Sequence, residues 1–402
     1  MKKFFVSALM LAFALSSVSA KDKKKTEDEG YVFTTVKELK ITPVKNQNRT
    51  GTCWCFSTLG FLESELLRMG KGEYDLSEMF IVSKNYKDKA EKFVRLHGEL
   101  NYAQGGSFED VLQAWKDYGI VPESVMNGLQ YGEDMHVHNE LESASRAYLD
   151  QIIKNPNRKL STAWKKGFDG IIDAYLGTAP EKFTYNGKEY TPKSFAAELG
   201  INPDDYVSLT SYTHHPFYSE FAIEVQDNWR WATSYNLPID ELMQVFENAI
   251  NTGYTIAWGA DVSEKGFTRN GIGVIPDIES MERSGSDQDR WLGLSTSEKD
   301  AEIKKMMEKP CKELEITQEM RQEAYDNYET TDDHGMQIYG IAKDQTGKKF
   351  YMIKNSWGTD NKYKGTWYIS ENFVKYKTMN IVVHKDALPQ AIKDKLHIKK
   401  VR

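Results

Sequence analysis

The apolar positions of the chain fall into three patterns along its length. At the N-terminus an unbroken apolar run, Phe4 to Leu15, follows Lys2-Lys3 and leads into Ser16, Ser17, Val18, Ser19 and Ala20. A cationic start, an apolar stretch and a small-x-small ending at Val18-Ser19-Ala20 make a secretory signal peptide, residues 1–20, cleaved before Lys21. The run is too short to cross a bilayer core of roughly 30 Å. The second pattern is helical. Leu59, Leu62, Leu66 and Met69 recur at i, i+3, i+7 and i+10, one face of a 3.6-residue period. Arg68 falls in the last turn and Gly70 just beyond it, a normal helix stop. Extrapolated back through Phe56, this helix opens at about Cys53, with Gly51-Thr52 as the turn and cap in front of it. Further helices are expected over 108–118, ended by Val121-Pro122, and over Asn236–Asn251. Residues 133–250 read as polar, charged and mostly helical, and 280–333 as charged and helical again.

The third pattern begins after His334. Met336-Gln337-Ile338-Tyr339 alternates as a strand does, Asp344-Gln345-Thr346-Gly347 signals a turn, and Phe350-Tyr351-Met352-Ile353 forms the returning strand. Trp367-Tyr368-Ile369 reads as a third strand. A chain that is helical first and strand-rich later is an α+β protein of two dissimilar lobes. The expected organisation past the signal peptide is one domain over 21–402. It divides into a mainly helical lobe over 21–132, a helical segment over 133–250 and a strand-rich lobe over 251–402.

Composition narrows the function classes. About 380 residues beyond Ala20 suffice for a large core. The formal charge is −7, or −9 without Lys2 and Lys3, and no long basic stripe exists, so nucleic acid is excluded as a partner. No later segment is apolar enough to span a membrane, and the mature chain is expected to be soluble and exported. Its three cysteines, Cys53, Cys55 and Cys311, are too few for a disulfide framework. They suit one reactive thiol and two incidental ones, with a Cys55–Cys311 bridge left open. Cys53 and Cys55 point about 200° apart on a helix, which rules out a redox pair, and alone they do not make a metal site. His214-His215-Pro216 offers two imidazoles, but adjacent side chains diverge in most backbones and no acidic partner is evident. Neither metal nor cofactor is expected.

The chemistry concentrates in two segments. Gln47 to Ser57 reads QNRTGTCWCFS. A Cys in the first turn of a long helix feels the positive end of the helix dipole, which favours thiolate and lowers the pKa. The same N–H groups can hold an oxyanion, and a Gln47 amide aimed beside the Cys53 N–H would add a second donor. In the other segment, a turn between Gln345 and Thr346 pairs residues whose numbers sum to about 691, so His334 faces Asn355–Trp357. An Asn accepting from one ring N–H fixes the imidazole tautomer and leaves the other nitrogen for the Cys53 proton. Trp357 could cover that bond. Taken singly, each has a plainer reading: a buried helix-start Cys, a surface Gln, a satisfied polar pair at a sheet end.

Together, Gln47-x5-Cys53-Trp54-x-Phe56-Ser57, His334-Gly335-Met336 and Asn355-Ser356-Trp357-Gly358 resemble the papain superfamily of cysteine peptidases. The resemblance implies a papain-like fold, helical lobe plus β-barrel-like lobe, and a thiol protease, a hydrolase of peptide bonds. It makes Gln47 the oxyanion donor, Cys53 the nucleophile, His334 the base and acid, Asn355 the orienter and Cys55 a buried bystander. The gap of 281 residues between Cys53 and His334 resembles the bleomycin hydrolase and aminopeptidase C branch, which carries a large helical insertion here. Ala257–Val262 resembles a core strand of that branch, and Gly105-Gly106 before Phe108 its peptide-binding loop. The branch implies an aminopeptidase acting on short peptides and a homo-hexameric ring. In it the chain's own C-terminal carboxylate meets the substrate ammonium, from an apolar, Pro-rich tail. Here the chain ends His397-Ile398-Lys399-Lys400-Val401-Arg402, so an open-cleft endopeptidase is the alternative. Export also departs from the branch's better-known, intracellular members.

Overall fold

The computed structural model describes residues 30–278, 291 and 293–399. The expected signal peptide, residues 1–20, lies outside them, as do the last three residues, 400–402. Helix α1 is Cys53–Arg68, at the bounds its apolar stripe predicts. Leu59, Leu62 and Leu66 are fully buried, and Gly70 beyond the end takes the left-handed φ of 72° that helix stops favour. Helix α2, Glu78–Arg95, starts at Ser77, whose side chain accepts the Phe80 N–H. Helix α3, Phe108–Tyr118, is fixed at its start by Asp110, whose carboxylate accepts the Ser107 N–H at 2.8 Å. Helices α4 (Asn139–Ile153), α5 (Ala163–Leu176) and α6 (Pro192–Leu199) follow, with a short hairpin of β2 (Phe183–Tyr185) and β3 (Lys188–Tyr190) before α6.

The strands outside that hairpin form one ten-stranded sheet. They are β1 (Phe33–Glu38), β4 (Tyr206–Thr210), β5 (Glu220–Ala222), β6 (Thr233–Asn236), β7 (Ile256–Ala260), β8 (Ile272–Gly273), β9 (His334–Asp344), β10 (Lys349–Lys354), β11 (Thr366–Ser370) and β12 (Thr378–His384). The order is β5-β6-β4-β12-β7-β9-β10-β11-β8. Strand β9 is long enough to take two partners end to end on one side. Its start pairs with β7, Ala260 facing His334, and its end with β1, Phe33 facing Asp344. The β9–β10 register sums to 692 near the turn and, beyond a bulge at Met352/Ile353, to 691. The helices on this side are α7 (Ile239–Thr252), α8 (Thr296–Met306), α9 (Gln318–Asp326), α10 (Glu371–Lys377) and α11 (Gln390–Lys395).

The expected division at 132 and 250 is not where the cores divide. One buried apolar cluster runs from Trp54 to Tyr206 through α1–α6, with only Ala257 and Val382 from later in the chain. The next begins at Val207 and runs to Leu396 between α7 and the sheet. The lobe boundary therefore falls near Tyr206. The segment 133–250 is not helical throughout. Its first part adds α4–α6 to the helical lobe, and β4, β5 and β6 extend the main sheet. The strands were hidden because they are three to five residues long, too short for a period to show.

Candidate active site

Cys53 is the first residue of α1, and His334 is the first residue of β9. Helix and strand meet there because residue 335 is glycine. A Cβ on Gly335 would lie 2.8 Å from Ser57 Oγ, 3.1 Å from Phe108 and 3.2 Å from the Trp54 Cα, so only hydrogen lets the first turn of α1 approach β9 this closely. Cys53 and His334 line the same cavity, with Gly106, Phe108, Glu109, Ile223, Val225, Asp227, Asp332, Met379 and Asn380 among its other walls. The turn before His334 is tied down. Asp261 accepts the Thr331 N–H at 2.7 Å, and Asp333 accepts the Val262 N–H at 3.1 Å.

His334 is buried, and its Nε2 bonds Asn355 Oδ1 at 2.8 Å. That leaves Nδ1 to the cavity shared with Cys53. The Trp357 ring stacks on the imidazole with centroids 4.6 Å apart and planes 26° apart, covering the bond as the sequence suggests. Gln47 is joined to the same segment. Its N–H donates to the Ser356 carbonyl at 2.8 Å, and its Oε1 accepts from Ser356 Oγ at 2.5 Å. One hydrogen of its Nε2 goes to the Thr50 carbonyl at 2.7 Å, which leaves the second for a ligand. The Cys53 N–H belongs to the first turn of α1, where no intrahelical acceptor exists. Gly106 lines the cavity, but Gly105 does not. The Gly105 carbonyl accepts from the buried Lys89 ammonium at 2.5 Å, and a Cβ on Gly105 would sit 1.9 Å from the Asp227 carboxylate. Of the expected glycine pair, then, Gly106 meets the cavity and Gly105 packs behind it.

Burial acts against one expectation, the lowered thiol pKa. Burial pushes the Cys53 thiol up to about 12, and the Asp332 and Asp227 carboxylates add to the rise. The amide groups of Gly335 and Trp54 pull it down without overcoming this. Burial also moves the His334 imidazole down to about 4, against the bond to Asn355. Desolvation disfavours the charged form of each group taken by itself, while the helix N-terminus and the attraction between a thiolate and an imidazolium act the other way. Acidic residues line the same cavity. Asp332 is raised to about 7, by burial first and then by Asp227, Asp333 and Glu109. Asp332-Asp333 stands immediately before His334 in the sequence, a signal that was there to be read. Asp227 comes from the β5–β6 connection and had none.

The three cysteines are free thiols. Cys55 is buried, its Sγ facing the Glu78 carbonyl at 3.5 Å, and no bridge joins it to Cys311. His214 and His215 do not diverge. Both Nε2 atoms lie on the Glu224 carboxylate, the acidic partner that the sequence did not reveal. The described tail packs away from the cavity: Ile392 and Leu396 enter the second core, Lys395 pairs with Glu241, and no residue beyond Asn380 lines the cavity. The carboxylate of Arg402, expected to meet a substrate, lies outside the described residues. No helix among the described residues is long and apolar enough to cross a membrane.

Comparison with known proteins agrees with this geometry. Residues 32–172 match the model of the papain family cysteine proteases, and residues 285–402 that of the Peptidase C1-like family. Aminopeptidase C of Lactococcus lactis subsp. lactis (strain IL1403) is 23% identical over 397 residues, covering 88% of this chain and 83% of that protein. Aminopeptidase G of Lactobacillus delbrueckii subsp. lactis is 22% identical over 426 residues, covering 89% and 84%. The crystal structure of PepW from Lactobacillus rhamnosis HN001 superposes with a TM-score of 0.68 at 20% identity, covering 90% of this chain and 84% of that one. The first model takes in Cys53 and the second His334 and Asn355, and the chain belongs to the papain superfamily of cysteine peptidases, on its bleomycin hydrolase and aminopeptidase C branch.

Proposed function

We propose that the chain is an exported aminopeptidase that hydrolyses short peptides through a Cys53 thioester. The observation that carries the chemistry is the meeting of Cys53 and His334 at one cavity, with Asn355 bonded to the imidazole and Gln47 bonded to the adjoining Ser356. The Sγ–H proton passes to His334 Nδ1, and sulfur attacks the scissile carbonyl carbon. The second Nε2 hydrogen of Gln47 and the Cys53 N–H receive the oxyanion. His334 gives its proton to the leaving amine as the C–N bond breaks. Water then adds to the thioester, its proton goes to His334, the C–S bond breaks, and the thiol returns. The Asn355 bond keeps the ring in the tautomer both steps need.

The aminopeptidase reading draws on the relatives' names and on the acidic lining of the cavity. A free α-ammonium there meets Asp332, Asp227 and Glu109, and its charge relieves their mutual repulsion. A blocked N-terminus offers no such charge. The test compares kcat/KM on free and N-acylated aminoacyl fluorogenic substrates for the wild type, Asp332→Asn, Asp227→Asn and a chain lacking residues 400–402. The wild type is expected to prefer the free substrate and the two Asn variants to lose that preference, while the truncation keeps it. Loss of preference on truncation alone would make the tail carboxylate the anchor. A wild type that favours blocked, longer peptides would establish the endopeptidase alternative. Cys53→Ala is expected to abolish all turnover. Export rests on residues 1–20, and the N-terminal sequence of the mature protein, expected to begin at Lys21, tests it.

A further inference from the structure

The loop of two histidines is held far more firmly than an exposed loop requires. Asn236 is fully buried and donates through Nδ2 to the Tyr212, His215 and Pro216 carbonyls at 2.8, 2.9 and 3.2 Å. Its Oδ1 accepts the Tyr212 N–H at 2.9 Å. The rings are held as well. His215 stacks on Phe221 at 4.2 Å between centroids, and His214 on Tyr325 at 5.5 Å. Both Nε2 atoms then converge on one carboxylate, Glu224, at 3.1 and 3.2 Å. The other nitrogen of His214, Nδ1, meets the Gln322 amide, which is fixed by the Thr213 N–H and by Asp326. This is the outer support that a metal-binding imidazole uses to hold its tautomer and direction.

We infer that His214, His215 and Glu224 form a zinc site that fastens the Ile223–Asp227 wall of the catalytic cavity. The ligand atoms of the three residues lie within 4.8 Å of one another, the one such group of His, Cys, Asp and Glu residues among those described. Zinc bonds of about 2.1 Å in a tetrahedron put ligand atoms about 3.4 Å apart, so the site closes with small shifts of the rings. Two neutral imidazoles and a carboxylate, with no thiolate, suit zinc rather than magnesium or calcium. The exposure of His214 and Glu224 leaves room for water at the remaining position. Each imidazole binds as the Nδ1–H tautomer with its Nε2 lone pair on zinc, so the proton leaves Nε2 for Nδ1, and Nδ1–H of His214 donates to Gln322 Oε1 at 3.3 Å in place of the contact with Gln322 Nε2 at 3.1 Å. The wall is engaged because Glu224 stands between Ile223 and Val225, both cavity-lining, and two residues further on is Asp227. Tyr325, which stacks on His214, also donates to the Glu224 carbonyl at 3.0 Å.

The test titrates zinc chloride into the full chain carrying Cys53→Ala, which removes the active-site thiol as a competing ligand. One zinc per chain is expected to bind, with affinity falling at least about tenfold in His214→Ala, His215→Ala and Glu224→Gln, and by about as much in Gln322→Ala. Asp332→Asn, in the acidic lining of the cavity, is expected to leave it unchanged. The cobalt(II) complex is expected to lack the charge-transfer absorption of a thiolate ligand. Zinc is expected to slow amide hydrogen exchange at residues 223–227, and not to do so in Glu224→Gln. His214 and Glu224 are exposed and His215 is half-buried, so these variants fold, and a melting curve checks the buried Gln322→Ala. No saturable binding, or wild-type affinity in Glu224→Gln and His215→Ala, overturns the site. Binding without slowed exchange overturns the fastening of the wall.

Discussion

Replacing Asn355 by Ala isolates the contribution of the orienting bond. Asn355 Oδ1 accepts from His334 Nε2 at 2.8 Å and from the Ser356 N–H at 2.7 Å. Asn355 and His334 are 2% and 5% exposed, and the Trp357 ring keeps water from the bond. The imidazole is charged while it holds the thiol proton and neutral otherwise. A hydrogen bond to a neutral donor contributes about 1 kcal/mol and one to a charged donor about 1.5–3, so the charged state loses about 0.5–2 kcal/mol more than the neutral one. At 1.36 kcal/mol per tenfold, kcat falls about 2- to 30-fold with KM little changed. The second orphaned donor, Ser356 N–H, costs stability, about 1–3 kcal/mol, rather than rate. Steady-state kinetics on a free aminoacyl substrate, with a melting curve for each variant, measures the two effects separately. His334→Ala is expected to lose several orders of magnitude more, since it removes the base itself. Equal losses in the two folded variants, or an unchanged kcat in Asn355→Ala, would refute the orienting role.

Other consequences are open to measurement. With burial pushing Cys53 up to about 12, its alkylation by iodoacetamide is expected to accelerate steadily from pH 5 to pH 9; a rate already level at pH 5 would mean a resting thiolate. His138 is fully buried with no hydrogen-bond partner for either ring nitrogen among the described residues, and burial moves it from its ordinary 6.5 down to about 3. The unfolded chain takes up that proton first, so the folded state is favoured fully above pH 6.5 and loses ground as pH falls, by about 2 kcal/mol at pH 5. His138→Leu is expected to flatten the acid limb of Tm against pH, and an equally steep limb would contradict the assignment. Gly105→Ala places a Cβ against Asp227, so that wall must shift; a stability loss of about 1–3 kcal/mol and a raised KM for free substrates are expected, and wild-type KM would show that the wall does not bear on binding.

What could be read from the residues, and what could not, follows physical lines. Helix α1 was legible to its ends because four apolar residues on one stripe, a basic last turn and Gly70 all agree. The β9–β10 hairpin was legible because one turn fixes its register, and the bulge at Met352/Ile353 moved it by a single residue. That register alone brought His334 opposite Asn355 and Trp357. Strands β4 to β6 were not legible, since their pairing depends on distant partners such as β12 rather than on any local period. The walls they carry, Ile223 to Asp227, were missed for that reason. The lowered thiol pKa was argued from a helix N-terminus alone; the burial that opposes it arises from the assembled lobes and cannot be seen in a dipole argument. Glu224 was missed likewise: ten residues separate it from His214, and only the fold of the loop brings them together.

Strand β1 completes its hydrogen bonds on the far half of β9. On the ribosome, which delivers the chain from its N-terminus, residues 33–38 emerge early and wait for a partner at 340–344. Closing so long a loop costs on the order of 5 kcal/mol in chain entropy, because the cost grows only with the logarithm of length. Stability therefore tolerates the arrangement, while the rate of assembly does not escape it. The same ordering separates the thiol from its imidazole during synthesis. A nascent or broken chain that ends before His334 carries the nucleophile on a formed helix but lacks its base, so cleavage begins only when nearly the whole polypeptide is present and its first strand has found its last neighbour.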